Sequence, residues 1–221
     1  MSPLASRKAK RALATVLSLT AGLMVAGAAG LVGYPFYTDL RASRQQDTLA
    51  AEFASSPEIK AAYQDPQNPE RRKVKLADGQ PLTRIIISKL RVDTVVVEGT
   101  SLRALAAGAG HYIDTPLPGE PGNVAIAGHR TMNGKPFENL DRLSPGDKVI
   151  LITPFARHTY EVVTPFEGHQ NPWVTTPNDW KVAAPTRDSV LTLTTCHPKG
   201  SARERLVARA KLLSSEPLTK S

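Results

Sequence analysis

After Pro81, apolar residues come in short, largely β-branched runs that are separated by Gly, Pro, Asn and Asp. Runs of this length and composition are typical of strands, and the residues between them are typical of turns. Seven segments follow this pattern: 84–87, 94–97, 123–126, 148–152, 160–163, 189–193 and 206–208. We therefore predict a mainly β domain, a closed or nearly closed barrel of about eight strands with short helices.

Two segments between these runs fit short helices. Residues 102–107 form one, and residues 136–143 form the other, which starts with Pro136 and ends at a Ser-Pro-Gly-Asp turn. A longer irregular stretch, 165–188, carries both tryptophans, Trp173 and Trp180. Helical content in this domain should therefore be minor.

The N-terminal part has a different pattern, because residues 12–37 contain no charged side chain. About 20 apolar residues suffice for a helix to cross a bilayer. Four basic residues precede this stretch and Asp39 follows it, so the positive-inside rule places residues 1–11 in the cytoplasm and the main domain outside. The prediction is a single-pass anchor in the cell membrane.

A cleavable signal peptide is the alternative interpretation, since Ala26-Gly27-Ala28 offers small residues at a suitable spacing. We favour an uncleaved anchor because the apolar run continues through Leu31, Val32, Tyr34 and Phe36, beyond a usual signal-peptide core. The domain is exported in either case.

Residues 38–80 are expected to form an extracytoplasmic stalk. Residues 40–63 look amphipathic, and residues 65–69 (Asp-Pro-Gln-Asn-Pro) would break a helix. We expect a solvated spacer rather than a specific binding segment. The barrel would then occupy residues 81–215 and leave 216–221 as a tail.

Charge and cysteine content narrow the classes of function. The net charge is +8, but without the four basic residues before the apolar stretch it is 24 − 20 = +4. Nucleic acid is therefore not an expected partner, because its binders concentrate positive charge on the folded domain. With one cysteine the chain has no internal disulfide, and Cys196 requires another explanation.

The lone thiol lies where a predicted strand gives way to a Pro-Gly-rich loop, in residues 191–200. An isolated cysteine is more often a small buried apolar residue than a nucleophile. A nucleophilic cysteine needs a proton partner, and His129 ends the strong predicted strand that starts at Asn123. His197 is a rival because it adjoins Cys196, although neighbouring side chains on a strand point to opposite faces.

Acyl transfer also needs a group that stabilises an oxyanion, and a guanidinium supplies permanent donors. Arg205 opens the last predicted strand and is the candidate, while Arg203 and Arg209 stay open on similar grounds. The remaining histidines lie in turn or edge contexts where a structural role is the default: His111, His158 and His169.

These residues carry a resemblance to a known family. The stretch Thr192-Leu193-Thr194-Thr195-Cys196 resembles the T-L-x-T-C motif of sortases. The order of a histidine after one strand, a cysteine ending a later strand and an arginine opening the last one also matches, at His129, Cys196 and Arg205. The approach to the histidine, residues 118–131, is similar as well.

Gly110-His111-Tyr112 and Cys196-His197-Pro198 make the chain resemble class E sortases of high-GC Gram-positive bacteria in particular. That resemblance implies a sorting signal of the L-A-x-T-G kind rather than L-P-x-T-G, with Tyr112, Thr194 and Thr195 as substrate-binding residues. It implies no cofactor, and no metal site is carried over, since residues 165–188 show no acidic cluster. Calcium dependence stays open.

The family comparison implies that the Cys196 thiolate attacks the Thr–Gly carbonyl, Arg205 supports the oxyanion, and protonated His129 donates to the leaving amine. The partners would be secreted proteins that bear sorting signals and a peptidoglycan precursor or cross-bridge amine that resolves the thioacyl enzyme.

Three alternatives remain: a non-catalytic anchored barrel that binds wall peptides, a metal-binding receptor, and a pilin-polymerising sortase with a lysine acceptor.

Overall fold

The computed structural model describes residues 3–63, 76–164, 168 and 170–218, with side chains from residue 9 onward. Within these ranges there are three α-helices: α1 (Pro3–Ser55), α2 (Pro57–Tyr63) and α3 (Leu102–Ala106). The strands are β1 (Pro81–Ile87), β2 (Val92–Glu98), β3 (Ala109–His111), β4 (Asn123–Gly128), β5 (Lys148–Ile152), β6 (Ala156–Val162), β7 (Trp173–Thr175), β8 (Val190–His197) and β9 (Glu204–Pro217).

The strands form one sheet in the order β6-β5-β1-β2-β3-β4-β8-β9-β7. An additional pairing of β6 with β9 joins the two ends of the first eight strands, so the sheet closes and β7 lies beside β9 as an extra strand. β9 can serve three neighbours because it is 14 residues long and uses its first half for β8 and β7 and its second half for β6. The predicted closed barrel of about eight strands is confirmed.

Alternation along the strands fills the barrel interior. Ile85 and Ile87 on β1 and Leu191 and Leu193 on β8 are at most 2% exposed and belong to the main core cluster. Strand β2 departs from alternation: Val96 joins that core, while its neighbours pack in a second cluster on the outer face. A strand buried on both faces reads as a continuous apolar run, which explains the valines in β2.

Every predicted strand is present, although most extend beyond the predicted ends. The two short strands β3 and β7 were not predicted, because β3 (Ala-Gly-His) has no β-branched residue and the three residues of β7 lie within the irregular stretch 165–188. The predicted helix over 102–107 is present as α3, which Ser101 caps by accepting a hydrogen bond from the Ala104 amide.

The predicted helix over 136–143 is wrong. This segment consists of turns and a single 3₁₀ turn, Leu140–Arg142. A segment of about eight residues has too little intrinsic stability to hold a helix against tertiary packing. Here the packing dominates, because Phe137 and Leu140 are both fully buried in the core.

Helix α1 is long and apolar enough to cross a membrane. The chain divides into two compact units, residues up to Tyr37 and residues from Thr38 onward, so α1 contributes to both. Its second part and α2 belong with the barrel, and Ala42, Leu49 and Ile59 are at most 5% exposed.

Residues 38–63 include buried positions, whereas the sequence suggested a solvated spacer. Their apolar stripe is covered by the barrel rather than by solvent, which is the usual way for an amphipathic helix to be stabilised. The helix breaks at Ser56, because the following Pro57 disfavours helical backbone in its predecessor. The predicted breaker segment 65–69 lies outside the described residues.

Tyr160 on β6 provides a test of the core. Its ring is fully buried, its hydroxyl accepts a hydrogen bond from the Gly119 amide at 3.0 Å, and burial raises its pKa to about 12. We expect Tyr160→Phe to lower the free energy of unfolding by about 1–2 kcal/mol, because the Gly119 amide loses its partner. Urea denaturation at pH 8 measures this.

The matched control is Tyr63→Phe, since Tyr63 is only half-buried and donates to the Leu82 carbonyl over a longer 3.2 Å. It should cost less than about 1 kcal/mol. Above pH 10 the wild type should lose stability, because the unfolded chain releases the phenol proton before the folded one does. Equal losses for the two variants would contradict this account.

Candidate active site

The sheet register brings three of the predicted site residues into one row. β8 pairs with β9 so that Cys196 lies directly opposite Arg205. On its other side β8 runs parallel to β4, with Ala127 opposite Thr194. Cys196 lies two residues beyond Thr194 on β8, and His129 lies two residues beyond Ala127, immediately after the end of β4. Side chains two residues apart on a strand face the same way, so all three project from the same face.

That face is the outer one. Leu191, Leu193 and the β9 residue Leu206 point into the core, which leaves Cys196 and Arg205 on the alternate face of their strands. Cys196 is a free thiol and half-buried. It is therefore within reach of a substrate at the rim of the barrel, as a nucleophile must be.

His129 follows the last residue of β4 and is also half-buried. The Phe137 amide donates to the His129 carbonyl at 3.2 Å, so the backbone of the histidine is held from the far side of the following loop. Burial lowers the pKa of His129 below its usual value of about 6.5, because desolvation penalises the imidazolium. The neutral ring is thus the dominant form at neutral pH.

A pocket of about 270 Å³ opens beside this row. It is bounded by the segment after β7 and by three predicted site residues, and its lining is Tyr112, Thr176, Pro177, Asn178, Asp179, Trp180, Val182, Ala183, Thr194 and Arg205. The Arg205 guanidinium donates to the Ala202 and Glu204 carbonyls, each at 3.0 Å, through Nη1. A guanidinium has five N–H donors, which leaves others for a ligand.

Tyr112 and Thr194 form one wall of the pocket. The Tyr112 hydroxyl and Thr194 Oγ1 are 3.2 Å apart, in hydrogen-bond contact. Thr194 lies two residues before Cys196 on the same face, so this wall adjoins the thiol. Tyr112 thereby contributes a polar group to a pocket that Trp180 and Val182 also line.

Thr195 has a different position from the one that its grouping with the substrate-binding residues suggested. It is 3% exposed, lies on the core face and donates through Oγ1 to the Gly128 carbonyl at 2.7 Å. The contact ties β8 to the end of β4, immediately before His129. Thr195 faces the core because side chains alternate along β8, while its neighbours Thr194 and Cys196 face outward.

His197, the rival proton partner, is engaged elsewhere. Its Nδ1 is 2.9 Å from Arg130 Nη1, and a guanidinium only donates, so this nitrogen acts as an acceptor. As the residue after Cys196, His197 points to the opposite face of β8. The arrangement favours His129 as the histidine that acts with the thiol.

Arg130 is a residue whose part in the site the sequence did not reveal. It is 5% exposed, pairs with Asp141 at 3.0 Å, and donates to the Cys196 carbonyl at 3.4 Å as well as to His197. A buried guanidinium therefore links the ends of β4 and β8. The only sequence signal was a charged residue next to His129 in an otherwise apolar stretch.

The pocket-lining segment after β7 is fastened to the sheet by a buried polar network. Asn123 Nδ2 donates to the Val182 and Ala184 carbonyls at 2.9 and 3.1 Å, and Asn123 Oδ1 accepts from Thr192 Oγ1 at 2.7 Å. Arg209 donates to Thr192 Oγ1 at 2.8 Å and to the Lys181 carbonyl at 3.1 Å. Arg209, which the sequence left open as an oxyanion donor, is committed to this network.

The other histidines are accounted for where they are described. His111 is 1% exposed, with Nδ1 3.1 Å from Glu98 and Nε2 3.0 Å from the Pro116 carbonyl. His158 Nδ1 contacts Ser215 Oγ at 2.9 Å, and burial lowers the pKa of His158. His169 lies outside the described residues.

Comparisons with known proteins agree with this geometry. A model of the sortase domain matches residues 85–213, more than half of the chain. The chain is 28% identical to sortase SrtE1 of Streptomyces coelicolor over 228 aligned residues, which cover 99% of this chain and 61% of that protein. It thus spans about three fifths of the length of that relative.

Two solved structures are similar in fold and sequence. Sortase D5 of Clostridium perfringens, described as a transpeptidase, superposes with a TM-score of 0.61 at 29% identity and covers 78% of this chain and 98% of its own. Sortase E of Streptomyces avermitilis gives a TM-score of 0.56 at 34% identity, covering 64% and 93%.

The family match thus falls on the barrel that carries the row of His129, Cys196 and Arg205, and the relatives include sortase E proteins, as the resemblance to class E indicated. The chain belongs to the sortase family.

Proposed function

We propose that this chain is a cysteine transpeptidase on the outer face of the cell membrane. It cleaves an L-A-x-T-G or L-P-x-T-G sorting signal between Thr and Gly and transfers the protein that bears the signal to a peptidoglycan amine. The observation that carries the proposal is the row His129, Cys196 and Arg205 on one face beside the pocket. Family membership supports a transpeptidase in general, and the row supports the assignment of roles.

In the first half-reaction Cys196 Sγ attacks the threonine carbonyl carbon. The C–N bond to glycine breaks, its electron pair stays on the nitrogen, and protonated His129 supplies the proton that makes the departing amine neutral. Free guanidinium donors of Arg205 stabilise the negative charge on the carbonyl oxygen in the tetrahedral intermediate. An amine nitrogen then attacks the thioester carbonyl carbon, and neutral His129 takes a proton from that nitrogen. The C–S bond breaks and Sγ leaves as thiolate, which restores the thiolate and imidazolium pair.

The protonation states of Cys196 and His129 determine what fraction of the molecules is active. Thiolate together with imidazolium is a minority state at neutral pH when the ordinary cysteine pKa is about 8.5 and that of histidine about 6.5. Burial lowers the pKa of His129 further, so the active fraction is smaller still. The imidazolium of His129 is, for the same reason, a stronger acid than an exposed one.

The N-terminal helix supports a location at the membrane. Helix α1 is compatible with a single membrane span. We propose that its basic N-terminal end is cytoplasmic and that the catalytic barrel is outside, where secreted substrate proteins and cell-wall amines are present.

The first test is mass spectrometry of the full chain in detergent, incubated with L-A-x-T-G and L-P-x-T-G peptides, with and without triglycine. We expect cleavage between Thr and Gly, a peptide adduct on Cys196 without acceptor, and a triglycine conjugate with it. Cys196→Ala should abolish all three products, because no thioester can form. Intact peptides and unmodified Cys196 in the wild type would favour a non-catalytic wall-peptide binder.

The second test concerns signal preference. We expect Tyr112→Phe to lower kcat/KM for L-A-x-T-G by about fivefold, the equivalent of one hydrogen bond worth about 1 kcal/mol, and to change L-P-x-T-G turnover less. Steady-state kinetics with both peptides measures this, and Tyr63→Phe is the control because Tyr63 contacts Leu82, outside the pocket lining. Equal effects on both peptides would remove Tyr112 from the selection.

The third test is the pH profile. We expect a bell-shaped kcat/KM profile whose acid limb has its midpoint below pH 6.5, because burial lowers the pKa of His129. Circular dichroism at each pH controls for unfolding, since the unfolded chain takes up protons at His129 and His158 first and stability falls below about pH 6.5. A profile with both limbs intact in His129→Ala would contradict the assigned role.

A further inference from the structure

One amide side chain, that of Gln46, makes three hydrogen bonds from the second part of α1 to the barrel. Gln46 Nε2 donates to the Val95 carbonyl at 3.1 Å and to the Ala107 carbonyl at 2.7 Å, and Gln46 Oε1 accepts from the Val95 amide at 2.7 Å. Three hydrogen bonds to main-chain groups use most of the capacity of one amide group. Such a set specifies both position and orientation of the helix.

Gln46 takes the place of a strand residue. β3 begins to pair with β2 at Val96, opposite Ala109, and Val95 is the residue before this ladder starts. The Gln46 amide satisfies the main chain of Val95 there, so the helix completes the sheet. Gly108 permits the approach, because a Cβ on it would lie 2.7 Å from Gln46 Nε2.

Apolar contacts accompany the hydrogen bonds of Gln46. Leu49 packs in a cluster with Val95, Val97, Ala104 and Ala107, on the outer face of β2 and α3. The part of α1 from Thr38 onward is thus fastened to the sheet by burial as well as by hydrogen bonds.

Two turns earlier, α1 contacts the loop that follows His129. The Gly134 amide donates to Asp39 Oδ1 at 2.9 Å, and Lys135 Nζ is 3.5 Å from Asp39 Oδ2. Ala42, 2% exposed, lies where a Cβ on Gly134 would contact it at 3.6 Å. The loop spans residues 131–136, between Arg130 and the buried Phe137.

This loop has a backbone that needs external support. Asn133, Gly134 and Lys135 have φ angles of 52°, 72° and 37°, and two of these three residues are not glycine. Left-handed backbone at non-glycine residues costs free energy and persists only where surroundings hold it. The Asp39 carboxylate is such a support, since it binds the amide in the middle of the run.

We propose that Asp39 and Gln46 are positioning residues of the active site: Gln46 fastens residues 38–55 of α1 to the barrel, and Asp39 holds loop 131–136 so that His129 keeps its place beside Cys196. The inference rests on the proposed function for its kinetic consequences. Arg130 connects loop 131–136 to His129 along the chain and donates to the Cys196 carbonyl, and the Phe137 amide donates to the His129 carbonyl. A displacement of the loop would therefore displace the backbone of His129.

The experiment uses the full chain in detergent micelles and five variants, four of them in matched pairs. Gln46→Ala is paired with Gln45→Ala, the same change one position earlier on the helix, and Asp39→Asn is paired with Asp47→Asn, the same change at an exposed site. Asp39→Glu keeps a carboxylate and should recover part of any loss.

We expect kcat for thioacyl formation to fall about tenfold in Gln46→Ala and Asp39→Asn with KM within about twofold, because a misplacement of about 1 Å can cost up to about a hundredfold in rate. Gln45→Ala and Asp47→Asn should match the wild type. Thermal melts establish that every variant is folded at the assay temperature.

A second readout does not depend on peptide turnover. NMR titration of the histidine ring signals, with His129 assigned through His129→Gln, gives the protonation midpoint of His129 directly. We expect it below pH 6.5 in the wild type and closer to 6.5 in Gln46→Ala and Asp39→Asn, because a released loop admits water to the ring.

The outcomes separate the two proposals. A wild type that cleaves no peptide but shows the expected shift in the His129 titration would overturn the proposed function and keep the positioning role. Variants that melt earlier but retain the wild-type kcat and His129 titration would overturn the positioning role, since α1 would then contribute stability alone.

Discussion

The hydrogen-bonded ladder of β8 with its two neighbours is the constraint on which the active site depends. β4 supplies His129 from one side in a parallel pairing, and β9 supplies Arg205 from the other side in an antiparallel pairing. Because side chains alternate with a period of two, a slip of one residue in either pairing would move a member of the row to the core face. The closed barrel resists such slips, since β9 also pairs with β6.

Buried polar groups maintain this register around the row. Arg130 joins the ends of β4 and β8, Thr195 bonds the Gly128 carbonyl, and Asn123 with Arg209 holds the pocket-lining segment against the sheet. A buried guanidinium is costly unless its donors are satisfied, and both arginines have several acceptors. Partial burial in this region also lowers the pKa of His129, because desolvation penalises the imidazolium.

The extent of the folded domain is larger than the barrel. Residues from Thr38 belong with it, because Gln46 completes the ladder of β2 and Leu49 covers the outer face of that strand. A helical apolar stripe in the sequence shows that a helix has something to cover, but it does not show what. For residues 38–63 the partner is the domain's own sheet, which local patterns could not indicate.

From the sequence alone, local patterns determined the β class and the membrane-length apolar helix, because composition and period are carried by the chain without reference to its fold. The roles proposed for His129, Cys196 and Arg205 came from the resemblance of their motifs to those of sortases. The tertiary structure decided which face Thr195 occupies, that His197 is engaged by Arg130, that residues 136–143 form turns, and that Gln46 reaches Val95. Each of these depends on contacts between segments far apart in the chain, because burial and strand register are properties of the assembled barrel rather than of any local stretch of sequence.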